Sequence, residues 1–101
     1  MDNQVINDTT ITIPTTAKLI SPAVFNGKRT SIAITNTSLL GETITIAFGT
    51  EAKITSGIPL KPNDRFIDSS GMGYQVSNNF ITAIASAVTG TIALHEVITL
   101  E

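Results

Sequence analysis

Between Arg29 and Phe48 the chain alternates twice. Thr30, Ile32 and Ile34 interleave with Ser31, Ala33 and Thr35, and Ile44, Ile46 and Phe48 interleave with Thr43, Thr45 and Ala47. Successive strand residues point to opposite faces, so each run collects its large apolar side chains on one face. A helix would scatter the same residues around its axis. The intervening Asn36-Thr-Ser-Leu-Leu-Gly41 carries Asn, Ser and Gly, the residues that turns use. The segment therefore predicts a long-looped β-hairpin at the centre of an all-β domain.

The rest of the chain repeats this pattern in shorter pieces. Thr9 to Ile13 alternates and stops at Pro14, and Ala17 to Ile20 makes a second short strand. Ser21 to Gly27 is a loop closed by Asn26-Gly27, a strong turn signal. After Phe48, Ala52 to Pro59 reads as a weak strand or an irregular crossing, anchored by Ile54 and Ile58. Lys61-Pro-Asn-Asp64 is a turn in which Pro62 pre-sets φ. Arg65 to Asp68, with Phe66 inward, and Tyr74 to Val76 are short strands around a Ser-Gly-Met-Gly loop. Phe80 to Val88 contains Ala83, Ala85 and Ala87, which would suit a short helix, but Thr89-Gly90 and a matching run from Thr91 to Thr99 favour two strands. Seven or eight short strands with frequent turns predict one antiparallel β-sandwich, jelly roll or barrel. The domain occupies residues 9–101. Residues 1–8 are polar apart from Met1, Val5 and Ile6, and predict a flexible arm that reaches across a subunit boundary. The expected core is Ile32, Ile34, Ile44, Ile46, Phe48, Phe66, Ile81, Ile92 and Leu94.

Composition bears on function mainly by exclusion. The 101 residues carry a net charge of −2, and the six cations Lys18, Lys28, Arg29, Lys53, Lys61 and Arg65 are scattered. Nucleic-acid binding needs a basic stripe, and none is visible. Cysteine is absent, so thiolate chemistry and disulfides are excluded within the chain. The segment from Ser69 to Leu94 lacks Asp, Glu, Lys and Arg, but its polar first half and its fifteen-residue apolar remainder do not make a spanning helix, which needs about 20 apolar residues. No membrane partner is expected. The first residues show no basic n-region or apolar h-region, so no signal peptide is expected. Only 14% of residues are charged, against about 25% in ordinary domains. Thr, Ser and Asn must cover the surface, which suits a protein held in an assembly.

Candidate chemistry is sparse, and no catalytic, metal or cofactor-binding residue is assigned. His95 is the single histidine, and Glu96 beside it would face the opposite way on a strand. His95 reads as a half-exposed strand residue. Ser69-Ser70-Gly71 is a loop and not a nucleophile elbow. Asp64 and Asp68 stand four apart, with Asp64 placed to cap the turn; a calcium site through both is the metal alternative. Asn7-Asp8-Thr9 and Asn36-Thr37-Ser38 match the glycosylation sequon and read as part of the arm and a turn. Gly71-Met72-Gly73-Tyr74 is a candidate contact surface, unless Tyr74 is half buried and the glycines only turn the chain.

Several of these stretches together resemble small β-sandwich virion proteins of tailed bacteriophages. The stretches are Arg29 to Asn36, Ile44 to Gly49, Gly57 to Asp64, Ile81 to Ala85 and Gly90 to Glu96. The family pattern prefers Pro-Gly-Asp where this chain has Pro62-Asn63-Asp64, and Asn also tolerates the left-handed conformation. The resemblance implies a non-enzymatic virion structural protein: a capsid decoration or head-stabilising protein that docks on a repetitive lattice as a homo-oligomer, with a capsid or other virion protein as partner. The alternative it implies is a small receptor- or glycan-binding module of a fibre, spike or tail. It implies no catalytic residues and no cofactor.

Overall fold

The computed structural model describes residues 3–70 and 76–101. Eight strands follow one another: β1 (Asn3–Ile13), β2 (Lys18–Ser21), β3 (Gly27–Asn36), β4 (Ile44–Phe48), β5 (Ile58–Leu60), β6 (Arg65–Ser69), β7 (Ile81–Ala85) and β8 (Gly90–Leu100). They form two four-stranded antiparallel sheets, ordered β1-β8-β3-β6 and β2-β7-β4-β5. β1 pairs with β8, β2 with β7, β3 with β6 and β4 with β5. The chain is thus one long antiparallel hairpin rolled over itself until β3 meets β8 and β4 meets β7. That is the jelly roll, two Greek keys packed face to face.

The alternation places the faces as expected. Ile32 and Ile34 of β3, Ile44 and Ile46 of β4, Ile81 of β7 and Ile92 and Leu94 of β8 are all buried between the sheets. Ile13, Ile20, Leu60, Val76, Ala83 and Ala85 complete the core. Phe48 and Phe66 are only partly buried; their rings meet across the core edge at 5.5 Å, tilted by 53°. The segment 81–85 is a strand despite its alanines, paired with β2 and β4, with Ala83 and Ala85 fully buried.

Two expectations about connectivity are corrected. β3 and β4 do not form a hairpin: they lie in different sheets, and residues 37–43 cross between them. Both runs turn their isoleucines to the same core from opposite sides, which satisfies the alternation equally well. Ile54 and Ile58 are not anchors, being 53% and 37% exposed. The 49–57 loop instead folds across the outer face of the second sheet through polar contacts. Thr82 Oγ1 donates to Thr50 O at 2.7 Å and accepts from Ala52 N at 2.8 Å, and Ala52 is buried. Gly57 is required in this loop. Its φ is +134°, and a Cβ there would stand 2.6 Å from Ile46 O.

The expected free arm is also revised. From Asn3 onward, residues 3–8 form the first half of β1 and pair with β8 from Leu100 to His95. Backbone bonding to a neighbouring strand orders this segment without burying it, so its polar composition misleads. The turn before β6 agrees with expectation: Asn63 sits at φ 72°, the left-handed position for which Asn substitutes for Gly.

Candidate functional site: the two ends of the sandwich

Strand direction sorts the loops. Residues 14–17, 37–43, 61–64 and 86–89 gather at one end, here called the upper end. Residues 22–26, 49–57 and the segment leading to β7 lie at the lower end. The three most exposed large apolar side chains among the described residues divide between them. Leu39 and Leu40 at the upper end are 96% and 77% exposed, and Phe25 at the lower end is 89% exposed. Val88 joins the upper group and Ile54 stands in a lower-end loop. Ser38, Leu39, Leu40, Thr89, Gly90 and Thr91 line a crevice of about 340 Å³.

Buried polar groups brace the loops that carry these side chains. At the upper end Asn36 is fully buried, and its Nδ2 donates to Glu42 O at 2.7 Å and Leu60 O at 2.8 Å. Its Oδ1 accepts from Ser38 N at 2.9 Å. Glu42 Oε2 accepts from Val88 N, Ala87 N and Ser86 Oγ at 3.0, 2.8 and 2.9 Å. Leu39 and Leu40 therefore stand on a loop tied down on both sides. These bonds to the Val88 and Ala87 amides, then to Ser86, hold the Glu42 carboxyl below its ordinary value near 4.5 against a smaller opposing effect of burial. A lowered folded-state pKa contributes stability above pH 4.5 that is lost as the pH falls through the folded-state value. Thermal melts of Glu42→Gln are expected to show a flatter loss of stability below pH 4.5 than the parent. Parallel acid limbs would dismiss the contribution.

The lower end is held by a buried ion pair. Arg29 is fully buried, and its Nε donates to Glu96 Oε2 at 3.0 Å. Its Nη1 donates to Ser77 O at 2.5 Å and Asn79 O at 3.0 Å, and its Nη2 to Ser21 Oγ at 3.0 Å and Pro22 O at 3.1 Å. Glu96 also accepts from Asn7 Nδ2 at 3.0 Å and from Ser21 Oγ at 3.0 and 3.2 Å. One guanidinium thus joins β3, β8, β2, the loop bearing Phe25 and the segment leading to β7. Among the described residues, every buried side-chain nitrogen or oxygen has a partner.

The residues singled out from sequence fall as follows. His95 and Glu96 do face opposite ways: the imidazole is half-exposed, and the carboxylate is buried. His95 Nδ1 pairs with Asp8 Oδ1 at 2.5 Å, a partner 87 residues away that no local spacing reveals. Asp64 caps its turn, accepting from Lys61 N at 3.2 Å. The extended backbone of β6 carries Asp68 about 13 Å further along at its usual rise, so the two carboxylates do not converge. Among the described residues no cluster of three His, Asp or Glu is placed to hold a metal. Both sequon asparagines are committed, Asn7 to Glu96 and Asn36 to Glu42 and Leu60. Ser70 N donates to Thr30 O at 2.9 Å, closing the loop edge. The Gly71-Met72-Gly73-Tyr74 contact surface lies outside the described residues.

No family model and no curated protein matches the chain. Among solved structures, a chain from the Bacillus endospore appendages, which form a family of disulfide-linked pili, is similar to it. The TM-score is 0.59 with 15% sequence identity, over 100% of this chain and 92% of that one. At that identity the likeness establishes the fold, a small all-β sandwich.

Proposed function

We propose that the protein is a non-enzymatic structural subunit that builds a repeating assembly by contact with copies of itself. The observation that carries this reading is the placement of Phe25 and of Leu39 and Leu40 at opposite ends of the sandwich, each on a loop braced by buried polar bonds. Exposed apolar groups that adjoin one another, as Leu39 and Leu40 do, mark contact surfaces more than single ones such as Phe25. A contact that joins the two unlike ends of neighbouring copies is heterologous, and heterologous contacts build rings or open arrays. The resemblance to tailed-phage virion proteins favours a lattice-bound decoration or head-stabilising subunit, in which a capsid or other virion protein supplies part of the contact. The pilus likeness favours a filament. This sequence has no cysteine, so it offers no thiol for the disulfide links named for the appendages.

Sedimentation over a concentration series, with negative-stain microscopy, tests the reading. The parent is expected to associate, and Phe25→Asp and Leu39→Asp each to shift the association at least tenfold toward higher concentration, since burying a carboxylate in an apolar contact is strongly unfavourable. Both positions are exposed, so both variants are expected to keep the parent melting temperature. A parent that stays monomeric at every concentration would sink the proposal.

A further inference from the structure

The outer faces of the two sheets differ. The loop 49–57 folds across that of the second sheet, whereas that of β1-β8-β3-β6 carries two cross-strand rows that are small and polar on β1, β8 and β3 and end on β6, one in Arg65 beside Thr35 and the other in the exposed Ile67 beside Ala33. One row is Thr10–Ala93–Thr35 and the next is Asp8–His95–Ala33, by the registers of β1 and β3 on β8. Together they line a shallow, open groove of about 580 Å³. At ordinary strand spacing each row is about 10 Å wide, and the rows are about 7 Å apart, close to the footprint of one sugar ring.

Alanine is a poor strand former on a solvent-facing surface, where Thr or Val would be favoured. Ala33 and Ala93 therefore lack a folding rationale, but they lower the floor between taller neighbours. The rim is hydrogen-bonding along β1 and at Thr35, and apolar at Ile67 beside Ala33. Asp8 spends Oδ1 on His95 Nδ1, leaving Oδ2 as an acceptor; in the neutral ring with its proton on Nδ1, Nε2 accepts as well. The Thr10 and Thr35 hydroxyls donate and accept. The Asp8 carboxylate at one edge and the Arg65 guanidinium at the other leave the face without a net charge to favour an ion of either sign, and methyl groups offer a flat apolar floor without an aromatic platform. The chemistry that fits is a neutral ring with hydroxyls at its edge and C–H bonds on its face.

We propose that this groove binds a pyranose, with the C–H face on Ala33 and Ala93 and vicinal hydroxyls donating to Asp8 and His95. The site lies on a sheet face, away from both ends, and does not depend on the assembly reading.

The test is ¹H–¹⁵N NMR of the full chain titrated to about 50 mM, weak affinity being expected of so open a site. The probes are methyl glucoside, methyl mannoside and methyl N-acetylglucosaminide, with inorganic phosphate and Zn²⁺ as separate arms. The expected result is saturable shifts at residues 8–10, 33–35 and 93–95 with at least one glycoside. Asp8→Asn is expected to weaken binding about tenfold, the scale of one charge-assisted hydrogen bond, and Ala93→Phe to abolish it by filling the floor. Should Ala93→Phe not fold, Asp8→Asn at an exposed edge position decides alone. No shift with any glycoside, shifts indifferent to Asp8→Asn, or shifts only with phosphate or Zn²⁺ would each overturn the proposal.

Discussion

Arg29→Met is expected to cost the fold about 3 to 5 kcal/mol, the usual penalty for breaking a buried pair by removing one partner. The substitution leaves the Glu96 carboxylate buried with only Ser21 and Asn7 as donors. It also strips the Ser77, Asn79 and Pro22 carbonyls of the donor that holds the lower-end loops. Against a total stability of roughly 5 to 15 kcal/mol, that is about a fifth of the margin at the least. The double variant Arg29→Met/Glu96→Leu removes both charges and is expected to be more stable than Arg29→Met alone, because no uncompensated ion remains in the interior. Urea unfolding of the parent and both variants measures this. A single variant within about 1 kcal/mol of the parent would mean that water reaches the pair and that the node does not brace the lower end.

Ile34→Ala and Ile46→Ala are expected to cost about 2 to 5 kcal/mol each, through lost transfer energy plus the cavity left behind. Both side chains are fully buried, one on each sheet, in β3 and β4. Ile54→Ala is the internal control. It sits on the loop that covers the second sheet, 53% exposed, and is expected to change stability by less than about 1 kcal/mol. Thermal and urea melts of the three variants separate a core between two sheets from one that included Ile54. An Ile46→Ala melt within a degree of the parent would sink this account of the core.

Most of the core was legible because a strand's side-chain direction is a local property. Alternation at Ile32 and Ile34, Ile44 and Ile46, and Ile92 and Leu94 is enough to say which side chains share a face, and all six are buried. The left-handed turn at Asn63 was legible for the same reason, since Pro62-Asn63-Asp64 acts within a few bonds. His95 and Glu96 could be assigned to opposite faces simply because they are adjacent. Phe48 and Phe66 were expected in the core yet sit at its edge, because a residue's depth depends on where the sheet ends and not on its own strand's pattern.

Pairing was not legible. Every strand offers the same backbone donors and acceptors, so nothing local tells β3 to choose β8 and β6 over β4, the next strand in the chain. The choice comes from closing both sheets over one core. The same closure sets residues 3–8 against β8, brings Asp8 to His95, and joins Arg29 to Glu96 across 67 residues. Arg29 in particular reads locally as a surface cation. It is buried because the rolled fold delivers a carboxylate, a hydroxyl and three carbonyls to its guanidinium, and the Glu96, Ser77 and Asn79 groups among them come from segments 48 to 67 residues away.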